Sequence, residues 1–227
     1  MQGFPWFSDP GFSPGRGTRL VAESGPTPTT NANHRGTTMT TIAARPEITS
    51  TTPTDRLLTG ALLVAPAIYL AADTTYAARG WDDPTAGVLH VLGAIAYGFV
   101  VLRIASWLPR SSKLAAWILL TGLIGLVGNA VYGFEAIHMS LGDTQLVDQP
   151  EAANLIKPLG LFFPLSFALI SWALIRLGHR WQGLLALAAI LVWPVGHIGN
   201  LPVLAVPVNI ALVIAFGSLV WARSGES

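Results

Sequence analysis

Apolar residues in this chain run in six long stretches separated by short polar breaks, at about 56–78, 85–107, 113–138, 154–177, 181–200 and 202–222. Each stretch is near the roughly 20 residues that carry a helix across about 30 Å of hydrocarbon. Open strands would leave backbone N–H and C=O groups unsatisfied in lipid, so the pattern predicts an all-α, polytopic membrane helix bundle with six transmembrane helices over 56–222. Only Asn200-Leu201-Pro202 separates the fifth stretch from the sixth, which predicts a tight antiparallel hairpin. Upstream, residues 1–55 carry runs such as Thr27-Pro28-Thr29-Thr30 and Thr49-Ser50-Thr51-Thr52-Pro53. So little apolar surface cannot offset chain entropy, and the segment is expected to be a disordered tail. It lacks an early charged-then-apolar signal pattern, so the first stretch reads as an uncleaved signal anchor, with cleavage after its alanines, leaving five spans, as the alternative. Met39 is an alternative start.

Charge orients the ladder. Of the 13 basic residues, 11 precede the first stretch, follow the sixth or lie in the second-to-third and fourth-to-fifth connections, leaving Arg79 and Lys157 as exceptions. The other connections carry Asp82, Asp83, Asp143, Asp148 and Glu151. The positive-inside bias then predicts both termini, including residues 223–227, on the cytoplasmic side of a plasma membrane. Trp107, Trp117, Trp172, Trp181 and Trp221 lie near the same ends, where indole rings settle at headgroup level.

Composition narrows the chemistry. Hydrophobic residues make up 52% of the chain and charged ones only 11%, a balance rare in a soluble domain. The net charge of +1, with no dense basic patch, sets a nucleic-acid partner aside. There is no cysteine, which excludes disulfides, thiolate metal ligands and thiol redox chemistry. Walker loops, His-Glu-x-x-His helices, Gly-x-Ser-x-Gly elbows and arginine-rich voltage sensors are missing, and no nucleophile–base pair can be assigned, so the reading leans away from an enzyme.

The unusual polar residues gather toward the opposite, outer end. Helical rise places Asp73 roughly 6 Å below the outer surface. His90, Asn129 and Glu135 fall at similar depth, His138 lies just beyond at the interface, and His197, Asn200 and Asn209 add an imidazole and two amides. In the inner half only Arg103 is comparable, close enough to its helix end to snorkel. Ionisable groups in a span are costly unless paired or hydrated, so several at one depth are expected to face a common pocket built by the first, second, third and fifth stretches. Glu135-Ala136-Ile137-His138 sets a carboxylate and an imidazole on one helical face, with Tyr132 continuing it inward. A single copy of this spacing does not make a dinuclear centre. His90, His138 and His197 with Glu135 or Asp73 supply donors for a mononuclear metal ion, and the histidines supply axial ligands for a haem. The plainer alternative is that each polar residue is tolerated singly at the membrane interface.

Small residues and prolines complete the picture. Gly122, Gly125, Gly128 and Gly133 let a neighbouring backbone approach, which predicts a central third helix or a face for a second copy or a membrane partner. Pro158, Pro164, Pro194 and Pro207 bend helices near the outer end, and bent helices leave room for a ligand. Three classes follow: a pocket that binds a metal, haem or proton, a small-solute or ion-coupled transporter, and a structural or regulatory subunit.

Overall fold

The computed structural model describes residues 52–146, 150 and 156–224. The expectations for the tail over 1–51, for Met39 and for 225–227 lie outside the described residues. Six helices are present: α1 (Pro53–Arg79), α2 (Pro84–Ser106), α3 (Lys113–Ser140), α4 (Ile156–Arg176), α5 (Arg180–Ile198) and α6 (Pro202–Ser224). Every one contains a span long and apolar enough to cross a membrane, and no strand occurs among the described residues.

Local chemistry sets the helix ends. Helix α1 starts earlier than its apolar stretch because Thr52 Oγ1 accepts the Asp55 amide at 3.1 Å and Pro53 supplies a pre-set first turn. Asp83 caps α2 by accepting the Ala86 amide at 2.9 Å, and that bond holds its carboxyl below the usual carboxylate range. The cap is therefore fully formed above the ordinary carboxylate pKa and is lost as pH falls through the lowered value. Helices α3, α4 and α5 end in Schellman motifs, seen in the bonds Asp143 N–H to His138 O (3.3 Å), His179 N–H to Leu174 O (2.9 Å) and Leu201 N–H to Gly196 O (2.7 Å). The left-handed position is Gly142 and Gly178 in the first two, and in the third Asn200 at φ 52°. The compact α5–α6 hairpin expected from the sequence rests on that asparagine.

Short connections make each helix the antiparallel neighbour of the next. Helix α1 packs on α2, α2 on α3, α3 on α4, α4 on α5 and α5 on α6, and α6 returns to α1, so the six form a closed ring. Helix α3 is a ring member and not the central helix its glycines suggested. Its glycines are consumed by its two neighbours. A methyl on Gly125 would meet the Phe163 amide nitrogen of α4 at 2.4 Å, and one on Gly133 the Gly87 carbonyl of α2 at 2.7 Å. The close approach that these glycines permit is made to helices of the same chain.

Rings fill the middle. Tyr69, Tyr97, Phe163 and Phe167 are fully or almost fully buried, with neighbouring centroids 4.6 to 5.8 Å apart, a spacing at which aromatic pairs attract. The outside is apolar: Trp117, Leu123, Trp172, Leu191 and Val203 all stand exposed, as a surface solvated by lipid requires. Trp181 and Trp221 are exposed as a headgroup belt demands, whereas Trp107 is half-buried against Arg103 and His179. Arg103 does not snorkel. It is buried, with Nη1 donating to Asp55 at 3.0 Å and Nη2 to Thr59 at 2.8 Å, because α1 begins early enough to bring an acid opposite it.

Candidate functional site

Along α1 the buried residues Leu62, Ala65, Tyr69, Asp73 and Tyr76 recur every three or four positions, which is one helical stripe facing the ring interior. That register puts a carboxyl in the protein centre, near the end carrying the α1–α2, α3–α4 and α5–α6 connections. Asn209 of α6 donates its amide hydrogen to Asp73 Oδ2, and His197 Nε2 of α5 lies 3.1 Å from the same oxygen. Asp73 and Asn209 are completely buried and His197 nearly so. The other His197 nitrogen, Nδ1, sits 3.1 Å from the Trp193 carbonyl, and the Trp193 ring stacks on the imidazole at 4.3 Å and 15°. Both nitrogens lie close to oxygens, although Nε2 meets Asp73 at ion-pair distance without hydrogen-bond geometry. An acid and an imidazole are thus held side by side inside the bundle.

Helix α2 adds His90, whose ring is 6.2 Å from His197, 5.2 Å from Tyr132 and 4.4 Å from Tyr69. Its Nε2 lies 3.4 Å from Asn129 Oδ1. Asn129 spends its amide hydrogen on the Gly125 carbonyl at 3.1 Å, which leaves the oxygen to accept and makes His90 Nε2 the donor. The second nitrogen, His90 Nδ1, has no protein partner, and neither do Asp73 Oδ1, Asn209 Oδ1 or Trp193 Nε1. Buried polar atoms in native proteins are nearly all satisfied, so this cluster calls for water or a solute.

Beside it lies a cavity of about 540 Å³ between α3, α4 and α5, lined also by Trp81 of the α1–α2 connection. Asn129, Tyr132 and Glu135 form one wall, Trp193, His197 and Asn200 another, and Pro158, Gly160 and Leu161 the third. The two glycines on this wall differ: a methyl on Gly128 would meet the Gly160 amide nitrogen at 2.6 Å, so α3 and α4 touch there, whereas one on Gly160 would stand in open space. The aromatic rings Tyr69, Tyr97 and Phe163 close the bundle beneath.

The expected site residues divide into three groups. Asp73, His90, Asn129 and His197 come together. Glu135 is buried on the cavity wall with Tyr132, and Asn200 is exposed at its edge, where its backbone role ends α5. His138 stays apart, half-exposed, with Nδ1 3.1 Å from Asp143. Among the described residues no three His, Asp or Glu side chains are arranged around a metal ion, and the quartet His90, His138, His197 and Glu135 does not assemble. Among the described residues His90 Nδ1 and His197 Nε2 are the buried imidazole nitrogens without a hydrogen-bond partner. The tie between Asn209 and Asp73, and the Trp81 and Trp193 rings, were not assigned to the site from the sequence. An asparagine inside an otherwise apolar α6 was the signal for the first.

No family model, curated protein or solved structure matches this chain. The fold and site define the class: a six-helix, multi-pass integral membrane protein with a buried acid–imidazole pair beside a cavity at one end of the ring.

Proposed function

We propose that this protein sits in the plasma membrane with both termini cytoplasmic and binds a small solute from outside, exchanging a proton through Asp73 and His197 as it does so. One observation carries the reading: His197 belongs both to the cavity wall and to the completely buried Asp73 carboxyl. A solute touching the imidazole therefore meets a group that lies against a buried carboxyl. The groups facing this pair are His90 and Tyr132 from α2 and α3, Tyr69 and Tyr76 from α1, and Asn209 from α6. None of them supplies a fixed positive charge.

A thermal-shift screen of the purified protein against a panel of small solutes, run between about pH 5 and 8, tests the reading. Stabilising solutes should act in a pH-dependent way on the natural chain and lose that dependence in Asp73→Asn, which keeps an oxygen for the Asn209 amide. The same stabilisation at every pH in both proteins would sink it.

The orientation is supported by the distribution of basic residues. The chain has no cysteine of its own, so single cysteines report cleanly. In intact cells a membrane-impermeant maleimide should label Asp82→Cys and spare Ser111→Cys until the membrane is opened, both positions being exposed. The reverse pattern would invert the protein.

A further inference from the structure

We infer that the solute is an amphiphile with one hydrocarbon chain and a hydrogen-bonding head, and that it enters the cavity from the outer leaflet between α4 and α5; this deepens the proposed function and rests on it. The cavity has an aliphatic rim and a polar interior. Leu161 of α4 and Ile198 of α5 line it and are 51% and 66% exposed. Each continues a lipid-facing stripe. On α4 the exposed Leu161, Leu165 and Trp172 recur at helical spacing, and on α5 the exposed Trp181, Leu184, Leu191, Val195 and Ile198 do the same. Residues that border the cavity therefore also border the bilayer. Further in, the Phe163 and Trp193 rings, 5.3 Å apart, close α4 against α5. The membrane span of α4 begins at Pro158 and that of α5 ends at Ile198, so the gap lies where headgroups give way to acyl chains. That position selects among solutes. A charged or strongly hydrated molecule would shed its water on passing two aliphatic side chains, whereas a hydrocarbon chain moves from lipid to an equally apolar surface at little cost. Behind the rim stand Asn129, Tyr132 and His197, side chains that hydrogen-bond, and a head group reaching them leaves its chain in the gap. A volume of about 540 Å³ lies within the range of small-ligand pockets, and a gap bounded by one side chain from each of two helices admits a single chain in place of the paired chains of a bilayer phospholipid.

Gly160 gives the means to test this, because it lines the cavity and a carbon added to it meets nothing within 4 Å. Gly160→Leu therefore fills the space without displacing a helix. The probe is hexadecanol carrying a photoreactive diazirine beside its hydroxyl, dissolved in phosphatidylcholine liposomes that hold the full chain, with the butanol homologue as a water-borne control. Peptide mass spectrometry maps the labelled residues. The long probe should label Tyr132, Ala136 and Trp193 from within the cavity, excess plain hexadecanol should compete that labelling away, and Gly160→Leu should abolish it. Leu165 and Trp172 face lipid and should be labelled in every case. Gly60→Leu, at another glycine with open space beside it, should change nothing. Melting curves of both variants establish that they are folded. Labelling confined to the lipid-facing residues, cavity labelling that neither hexadecanol nor Gly160→Leu removes, or labelling by the butanol homologue equal to that by the long probe overturns the inference. A pH-dependent thermal shift with water-soluble solutes, lost in Asp73→Asn, would in that event leave the proposed function standing. Cavity labelling by the long probe with no pH-dependent shift by any solute would do the reverse: the membrane-side entrance stands and the proton exchange falls.

Discussion

Asp73→Ala should destabilise the purified protein by about 3 to 5 kcal/mol, the loss measured when one partner of a buried pair is removed. The alanine removes the carboxylate beside His197 Nε2 and leaves the Asn209 side-chain amide only the longer bond to the Ala205 carbonyl at 3.4 Å, in a place where both residues are almost wholly shielded. Unfolding in detergent, followed by tryptophan fluorescence, measures the loss, since Trp193 stacks directly on His197. Most of the cost is the stranded partners, so it should shrink when they are removed as well. The double variant Asp73→Ala with His197→Ala should lose clearly less than the sum of the two single losses, because residues in one network are not additive. A single-variant loss below about 1 kcal/mol would mean that the pair is worth no more than a surface ion pair and that water reaches it.

Gly125→Val is expected to cost about 3 kcal/mol or more, at or beyond the upper end of ordinary overpacking. Its first side-chain carbon would lie 2.4 Å from the Phe163 amide nitrogen and 2.6 Å from its Cα, and backbone cannot swing aside as a side-chain tip can. Helices α3 and α4 must separate, which pulls Phe163 from its stack on Tyr69 and opens the cavity floor. Thermal melting in the same detergent reads the effect. Gly60→Ala is the matched comparison: nothing lies within 4 Å of the added carbon, so the change should stabilise α1 by about 0.5 to 1 kcal/mol through helix propensity alone. If both substitutions are equally harmless, the close approach of α3 and α4 is not a feature of the folded protein.

Much of the site was legible before any coordinates. Asp73, His90, Asn129 and His197 were expected to meet because each is a polar residue that a lipid-facing position would penalise, and the same cost drives all four inward. His138 followed from the same reasoning and did not join them. It lies at the very end of α3, where solvent and Asp143 satisfy it, so nothing forces it toward the axis. Glu135, three residues earlier, is buried because one turn carries it below that rim. Arg103 failed in the other direction: length and flexibility suggested escape to the interface, but an acid from the first turn of α1 satisfies it inside. Whether a long cation snorkels depends on what stands opposite, and a single helix does not contain that information. The glycines of α3 likewise announced a close approach without naming the neighbour.

The sequence by itself determined that the chain crosses a membrane on six helices, because the cost of unsatisfied backbone in lipid leaves an apolar stretch of that length no other form. It also determined which residues would seek the interior, since burial of a charge is a local cost that each residue carries with it. Only the tertiary structure decided that the helices close into a ring through α6 against α1, that Asp73 takes His197 and Asn209 as partners, and that a cavity survives between α3, α4 and α5. Those are properties of register between helices far apart in the chain. They depend on which small residues face each other across a contact, and a shift of one residue in any helix would turn a different side chain to the centre.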